Sequence, residues 1–218
     1  MSQLKHPTKY CKICFKEIKD YSFYNFSHEK NIICETCFSS LNAKFKCFEI
    51  GTIKAMAIYD YNETIKKLIY QFKGCYDYEL KDVFLFRYVT YLKWKFNDYI
   101  LVPAPSSKVD DEKRGFNHVI EIYKCLGLEM VDIIKKTSKE KQSDKTSKDR
   151  LKVNNILVGH NLEKVREKKI LLVDDIYTTG STIFRMIEIV KSAKPKDIKV
   201  LVIAKTIDLN KREKHNIP

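Results

Sequence analysis

The clearest periodicity in the chain is helical, and it follows a short apolar run in the C-terminal half. Ile170 to Val173 is an aliphatic block of the kind that fills a strand buried on both faces. Ile183, Met186, Ile187 and Val190 then recur at three- and four-residue spacing, which predicts an amphipathic helix laid on a sheet. The same alternation appears earlier. Ile53 to Tyr61 reads as a strand, and Glu63 to Phe72 as a helix with Ile65, Leu68, Ile69 and Phe72 on one side and Gly74 at its end. Tyr99 to Val102 and Ile198 to Ile203 are two further buried-strand runs, and Arg114 to Asn117 opens a helix continuing through Ile120, Ile122, Tyr123 and Leu126. Tyr78 to Phe96 is expected to form one more helix. Its aromatic residues (Phe84, Phe86, Tyr88, Tyr91, Trp94, Phe96) read mainly as core packing. Asp110 to Lys113 reads as a charged, mobile stretch, and the polar tail Asp208 to Pro218 is expected to fray. Strands alternating with helices predict an α/β domain with a mainly parallel sheet over about residues 52–207.

Composition narrows the class. The chain has 218 residues, 44% of them hydrophobic, which excludes global disorder, and no apolar run reaches the length of a membrane span. The first residues, Met1 to Pro7, hold no apolar segment that could serve as a secretory signal, so a cytoplasmic protein without membrane insertion is expected. Lys and Arg number 41 against 28 acids, a formal charge of +13 that suits polyanionic partners such as single-stranded DNA or a solvated basic surface equally well. Lys135 to Lys152, with eight basic residues and three acids, reads as a surface loop open to the same two explanations.

Four of the seven cysteines stand as two C-x2-C pairs, Cys11/Cys14 and Cys34/Cys37, nineteen residues apart. That spacing is the mark of a structural zinc site, because each turn aims two sulfurs at one point and two turns complete a tetrahedron. A shell of four thiolates leaves no position for water, so the metal's role would be folding. A module of about fifty residues buries little core, whereas zinc contributes on the order of 10–16 kcal/mol in such modules. The competing reading, a thioredoxin-like redox pair, needs a βαβ context that Phe15 to Asn31 does not supply. Cys47, His28 and His6 lie close by in sequence at spacings that argue against ligation, and Cys75 and Cys125 read as isolated buried thiols. The expected division is a zinc module at 1–51 and an α/β domain at 52–218.

The chemistry concentrates after Val173. Asp174 and Asp175 stand where a strand of an open sheet ends, and Thr178, Thr179, Gly180, Ser181 and Thr182 lead into the helix. A loop feeding a helix N-terminus offers backbone N–H groups and a positive dipole end to an anion. Gly180 lets the backbone close in and the hydroxyls add donors. The two carboxylates would repel a phosphate and instead suit sugar hydroxyls or a divalent cation. A second anion-friendly loop follows Val102, where Pro103-Ala104-Pro105 exits into Ser106, Ser107 and Lys108.

Hydrophobic strand, acid pair and T-T-G-S-T together resemble the binding motif of type I phosphoribosyltransferases, which holds the ribose hydroxyls and 5′-phosphate of phosphoribosyl pyrophosphate. The wider pattern resembles the ComF family: two C-x2-C pairs, V-P-A-P-S-S, R-G-F-N, then Thr137, Gln142, Arg150 and Asn154, then L-L-V-D-D-I-Y-T-T-G-S-T. That resemblance implies a phosphoribosyltransferase-like sheet flanked by helices, with an N-terminal zinc ribbon. It implies that Asp174 and Asp175 take the ribose and its magnesium, Thr178 to Thr182 the 5′-phosphate, and Ser106 and Ser107 the pyrophosphate. Arg114 to Asn117 would cover the site, with Asp174, Asp175 and Arg114 as candidate catalytic residues. The implied role is natural transformation, the handling of incoming single-stranded DNA, with a helicase of the uptake machinery as a possible partner. The chain departs from the family at Ser106 (usually Leu), at the acidic Asp110-Asp111-Glu112, and at His118 (usually Gln). Thr178 also stands where purine-specific relatives carry an Asp. Two functions remain open: a phosphoribosyl-transferring enzyme, or a non-catalytic sensor or DNA- and helicase-binding adaptor using the same pocket.

Overall fold

The computed structural model of the chain describes residues 9–18, 32–138 and 155–206. The buried-strand runs become β2 (Ile53–Asp60), β3 (Tyr99–Pro103), β6 (Lys169–Tyr177) and β7 (Asp197–Lys205), and β1 (Lys46–Ile50) joins them through a tight turn at Gly51. They form one sheet in the order β1-β2-β7-β6-β3, parallel throughout except for β1, which runs antiparallel to β2. Edge strand β1 precedes residue 52, so the sheet draws on the chain before that expected boundary.

Helices cover both faces, which is why the central strands are apolar on both sides. On one face α2 (Glu63–Gly74) buries Ile65, Leu68, Ile69 and Phe72 against Met56, Ile58, Leu171, Val173, Leu201 and Ile203. Each such side chain contributes about 1.5–3 kcal/mol of burial. Asn62 caps the helix, its Oδ1 accepting from the Ile65 N–H at 2.9 Å. On the other face α6 (Ser181–Ser192) buries Ile183, Met186, Ile187 and Val190 against strand residues that include Ile170, Leu172, Val200 and Val202. Both helices bury the residues their periodicity selects.

Several expectations need correction. Tyr78–Asp82 is a 3-10 turn, residues 83–88 are further turns, and only α3 (Val89–Lys95) is an α-helix. Packing overrides helical continuity there. Leu80, Val83, Phe84 and Leu85 are all buried, a cluster wider than one helix face, and the Phe84 carbonyl accepts from the buried Tyr59 hydroxyl at 2.8 Å. Phe84 and Phe96 are core residues as expected, but Trp94 is 75% exposed. The charged stretch at 110–113 is helical, lying within α4 (Lys108–Arg114). Its acids Asp110 and Asp111 occupy the first turn, Lys113 and Arg114 the last, and Gly115 ends it in the left-handed region, all favourable to a short helix. Residues 135–138 belong to β4 (Ile134–Ser138), which pairs antiparallel with β5 (Asn155–Gly159) in a separate ribbon. Buried Ile134 and exposed Lys135 and Thr137 set its alternation. Cys75 is exposed and Cys125 half-buried, so neither is a buried thiol. Gln142, Arg150, Asn154, the rest of the basic loop and the C-terminal tail lie outside the described residues, as do His6 and His28.

Candidate functional site

Cys11 and Cys14 sit on a tight turn (Phe15 N–H to Cys11 C=O, 2.9 Å), while Cys34 and Cys37 flank the start of α1 (Glu35–Leu41). A hydrogen bond from the Lys12 N–H to the Ile32 carbonyl brings the two segments together. All four sulfurs lie within 4.8 Å of one another, and Cys14 Sγ and Cys34 Sγ are 3.8 Å apart. A tetrahedron with Zn–S bonds of about 2.3 Å has S–S edges near 3.8 Å, so the donor set fits the metal. Burial opposes ionisation of Cys11, but the backbone N–H groups of Cys14, Cys34 and Ile13 hold its thiol down at about 7. Burial pushes Cys34 and Cys37 up, and for Cys37 the neighbouring sulfurs add to the rise. Four thiolates this close need a cation, and the cluster can hold a metal such as zinc. Arg87 fastens it to the domain: its guanidinium lies 3.8 Å over the Phe38 ring and pairs with Glu35 at 2.7 Å.

The second site lies at the carboxyl ends of β6 and β3, where ligands of open α/β sheets bind. Asp174 and Asp175 are both buried near the end of β6. Asp174 Oδ1 accepts from the Asp175 N–H at 2.8 Å, and Asp175 Oδ1 from the Ile176 N–H at 2.7 Å. Beneath them the buried Tyr123 hydroxyl lies 3.0 Å from the carbonyls of both Asp174 and Leu201, tying α5 (His118–Tyr123) to the sheet. Burial and the Asp175 charge push the Asp174 carboxyl well above its ordinary range. Burial would do the same to Asp175. There the His118 hydrogen bond and the Lys73 ammonium outweigh it and hold the group well below that range.

Thr178, Thr179, Ser181 and Thr182 are exposed around the start of α6, where no side chain caps the helix. Gly180 has φ +77°, and a Cβ there would fall 2.4 Å from the Tyr177 hydroxyl, so only glycine fits beneath that ring. Beside this loop, Ala104 N–H donates to the Val173 carbonyl at 2.8 Å, which carries Ser106 and Ser107 out alongside the acid pair's strand. Ser106 donates its hydroxyl to Asp111 Oδ1, and Ser107 stands at the start of α4 without a side-chain cap bond.

A polar chain links α4 to the acid pair. Asn117 Nδ2 and Arg114 Nη1 each donate to Asp111 at 3.3 Å, and Nη1 also donates to His118 Nδ1 at 2.9 Å. A guanidinium cannot accept, so Nδ1 accepts and the ring proton sits on Nε2, 3.2 Å from Asp175 Oδ2. Lys73 Nζ reaches the same oxygen at 3.0 Å from the end of α2. Arg114 is thus not at the acid pair itself but one residue behind it. Lys73 and Tyr123 are residues of the site that sequence reasoning missed, and Asp111 and His118 appeared only as departures from a family pattern. The four-residue step from Arg114 to His118 was the available signal for one contact; nothing in the sequence links Lys73 to Asp175.

The phosphoribosyl transferase domain family matches residues 112–217. Competence protein ComFC of Streptococcus pneumoniae is 30% identical over 199 residues, covering 89% of this chain and 86% of that protein. ComFC of Bacillus subtilis is 32% identical over 129 residues, 58% of this chain and 53% of that one. A purine phosphoribosyltransferase structure from Pyrococcus horikoshii matches with 20% identity over 57% of this chain and 73% of that chain, at a TM-score of 0.37. With an acid pair and hydroxyl-rich loop at the sheet's carboxyl edge, and near full-length likeness to ComFC, the chain belongs to the ComF family of competence proteins and carries a phosphoribosyl transferase domain.

Proposed function

We propose that this chain binds phosphoribosyl pyrophosphate with magnesium and transfers its phosphoribosyl group, in a cytoplasmic step of natural transformation that handles single-stranded DNA. The observation that carries the reading is the continuity of β6, the buried acid pair and the Gly180 loop into the start of α6. Ribose hydroxyls would donate to Asp174 and Asp175, and the 5′-phosphate would sit among Thr178, Thr179, Gly180, Ser181 and Thr182. The N–H groups and the positive end of α6, a helix of three turns, would face it. The diphosphate would lie toward Ser106 and Ser107. An acceptor attacks C1, the C1–O bond breaks, and the electron pair leaves with pyrophosphate. Asp174 and Asp175 would hold the magnesium with the ribose, and the cation would supply positive charge against the departing pyrophosphate. Arg114 acts behind the acids, through His118. Zinc in the Cys11, Cys14, Cys34 and Cys37 cluster would be structural, and the N-terminal module and phosphoribosyltransferase domain would work as one protein with a helicase partner.

One observation favours the second reading, a sensor or adaptor without turnover. The Ser106 hydroxyl is engaged by Asp111, and an acid beside the expected pyrophosphate donors opposes a polyanion there. Pyrophosphate release across a panel of acceptors separates the two readings. Calorimetry tests the site that both share. Asp175→Asn keeps the buried volume and should weaken phosphoribosyl pyrophosphate more than ribose-free pyrophosphate. Thr179→Val should weaken every ligand carrying a 5′-phosphate, by about 1–3 kcal/mol. If both variants bind phosphoribosyl pyrophosphate, pyrophosphate and ribose 5-phosphate as the parent does, the phosphoribosyl reading falls.

A further inference from the structure

Asp175 and Asp174 differ in how fully they are occupied. Asp175 Oδ2 receives Lys73 and His118, and its Oδ1 receives the Ile176 N–H. Asp174 receives one N–H on Oδ1, and among the described residues no donor reaches its Oδ2. A sugar hydroxyl arriving at the pair can therefore bond to Asp174 directly, but reaches Asp175 by replacing a donor. The two donors are not equally replaceable. His118 is buried, held by Arg114 on the far ring nitrogen, and sits at the start of a helix capped by Asn117, whose Oδ1 accepts from the Ile120 N–H at 3.1 Å. The Arg114 side chain is itself only 5% exposed. Lys73 stands at the end of α2, its side chain 41% exposed, with Asp175 as its hydrogen-bond and ion-pair partner. A lysine ammonium on four flexible methylenes regains solvation when it swings outward; the buried imidazole would have to abandon Arg114 as well.

We infer that Lys73 is an exchangeable counter-ion of Asp175, displaced when a ligand hydroxyl binds, while Arg114 and His118 form the fixed support that keeps the carboxylate aimed. All three are positioning residues, acting through Asp175. The inference rests on the phosphoribosyl reading of this site. It also makes a prediction whose sign differs from that of charge alone. Removing a lysine near an anion site weakens binding of a dianion through lost attraction. If Lys73 competes with the ligand, its removal strengthens binding of a ligand with sugar hydroxyls, because a buried carboxylate left short of a partner gains most from a new one.

The test is calorimetry on the full chain with ribose 5-phosphate and with inorganic phosphate, which has no sugar hydroxyls. Lys73→Met should bind ribose 5-phosphate several-fold tighter than the parent, with inorganic phosphate unchanged or weaker. Lys66→Met removes the same charge from α2 away from the acid pair and should leave both ligands near parental affinity. His118→Ala should lose about tenfold or more for ribose 5-phosphate, the scale of one hydrogen bond to a charged group. His118→Gln should recover most of that loss, since its amide N–H can donate to the same oxygen. Acetylation of the parent, mapped by peptide mass, should show Lys73 becoming more reactive on adding ribose 5-phosphate. Lys73→Met binding no tighter than Lys66→Met, or ribose 5-phosphate binding with Lys73 reactivity unchanged, overturns the exchange and leaves the phosphoribosyl reading standing. A parent that binds neither ribose 5-phosphate nor phosphoribosyl pyrophosphate overturns that reading and the exchange together.

Discussion

At Asp174, burial and the adjacent Asp175 carboxylate both oppose ionisation, and the carboxyl is raised well above its ordinary value. A raised acid contributes stability below its unfolded pKa, near 3.9, that is lost as pH rises through the folded value. Asp174 therefore works against folding at neutral pH. Asp174→Asn should stabilise the protein at pH 7 by about 0.5–2 kcal/mol while abolishing phosphoribosyl pyrophosphate binding. Asp175 has the opposite sign. Held down by His118 and Lys73 against its burial, it contributes stability that is present above about pH 3.9 and lost as pH falls through its lower folded value. Thermal melts of the two Asn variants from pH 3 to 8 check both limbs; a lower melting temperature for Asp174→Asn at pH 7 would remove the argument for a strained charge. The acid pair and Thr178 to Thr182 were legible because strand, acids and small residues are contiguous. The partners that separate the two acids were not, since Lys73 lies 102 residues from Asp175.

Among elements, α2 and α6 were readable because a repeat of three and four puts one apolar stripe on one neighbour. The aromatic stretch failed that test for a physical reason. Phe84 and Leu85 are both buried, Arg87 is committed to Phe38 and Glu35, and turns reach those partners where one straight helix does not. That commitment also bears on the cysteine segment. Cys11, Ile33 and Leu41 belong to the same apolar core as Phe84 and Leu201, so loss of metal should be felt beyond the ligands. Purified protein should carry one zinc per chain. Cys34→Ser should lower zinc content and melting temperature together, with zinc binding worth on the order of 10–16 kcal/mol in comparable modules. Full zinc occupancy in that variant would count against the assigned ligand set.

Over the whole molecule the net charge of +13 needs a surface to act through. The basic loop expected to carry it falls largely outside the described residues. Within them, a cleft on the sheet away from the acid pair is lined by Lys54, Lys95 and Lys199, against the single acid Glu49, over Met56 and Phe96, with exposed Trp94 adjoining Lys95 in α3. Lysines lining an apolar cleft, with an exposed indole on the next residue of the same helix, are the materials of single-strand binding. Single-stranded DNA should bind with log affinity falling against log salt by about 0.7 per phosphate contact. Changing Lys54, Lys95 and Lys199 together to Glu should flatten that slope, and Trp94→Ala should weaken binding by about 1–3 kcal/mol without changing it. A slope untouched by the triple change places the DNA elsewhere. Among the described residues no helix is long and apolar enough to cross a membrane.

Apolar periodicity, cysteine spacing and the run from Ile170 to Thr182 are local patterns. Each sets a strand, a helix or a pair of thiolate turns through interactions a few residues apart, and so the α/β class, the four-cysteine cluster and the acid pair could be read directly from the chain. The ionisation of those acids is another matter. Asp174 and Asp175 are neighbours of identical chemistry, and the fold alone gives one of them Lys73 and His118 and leaves the other buried beside a like charge. Burial and through-space charge act over a few ångströms whatever the separation along the chain. The difference between the two carboxylates therefore arises only when α2, α5 and β6 are packed together.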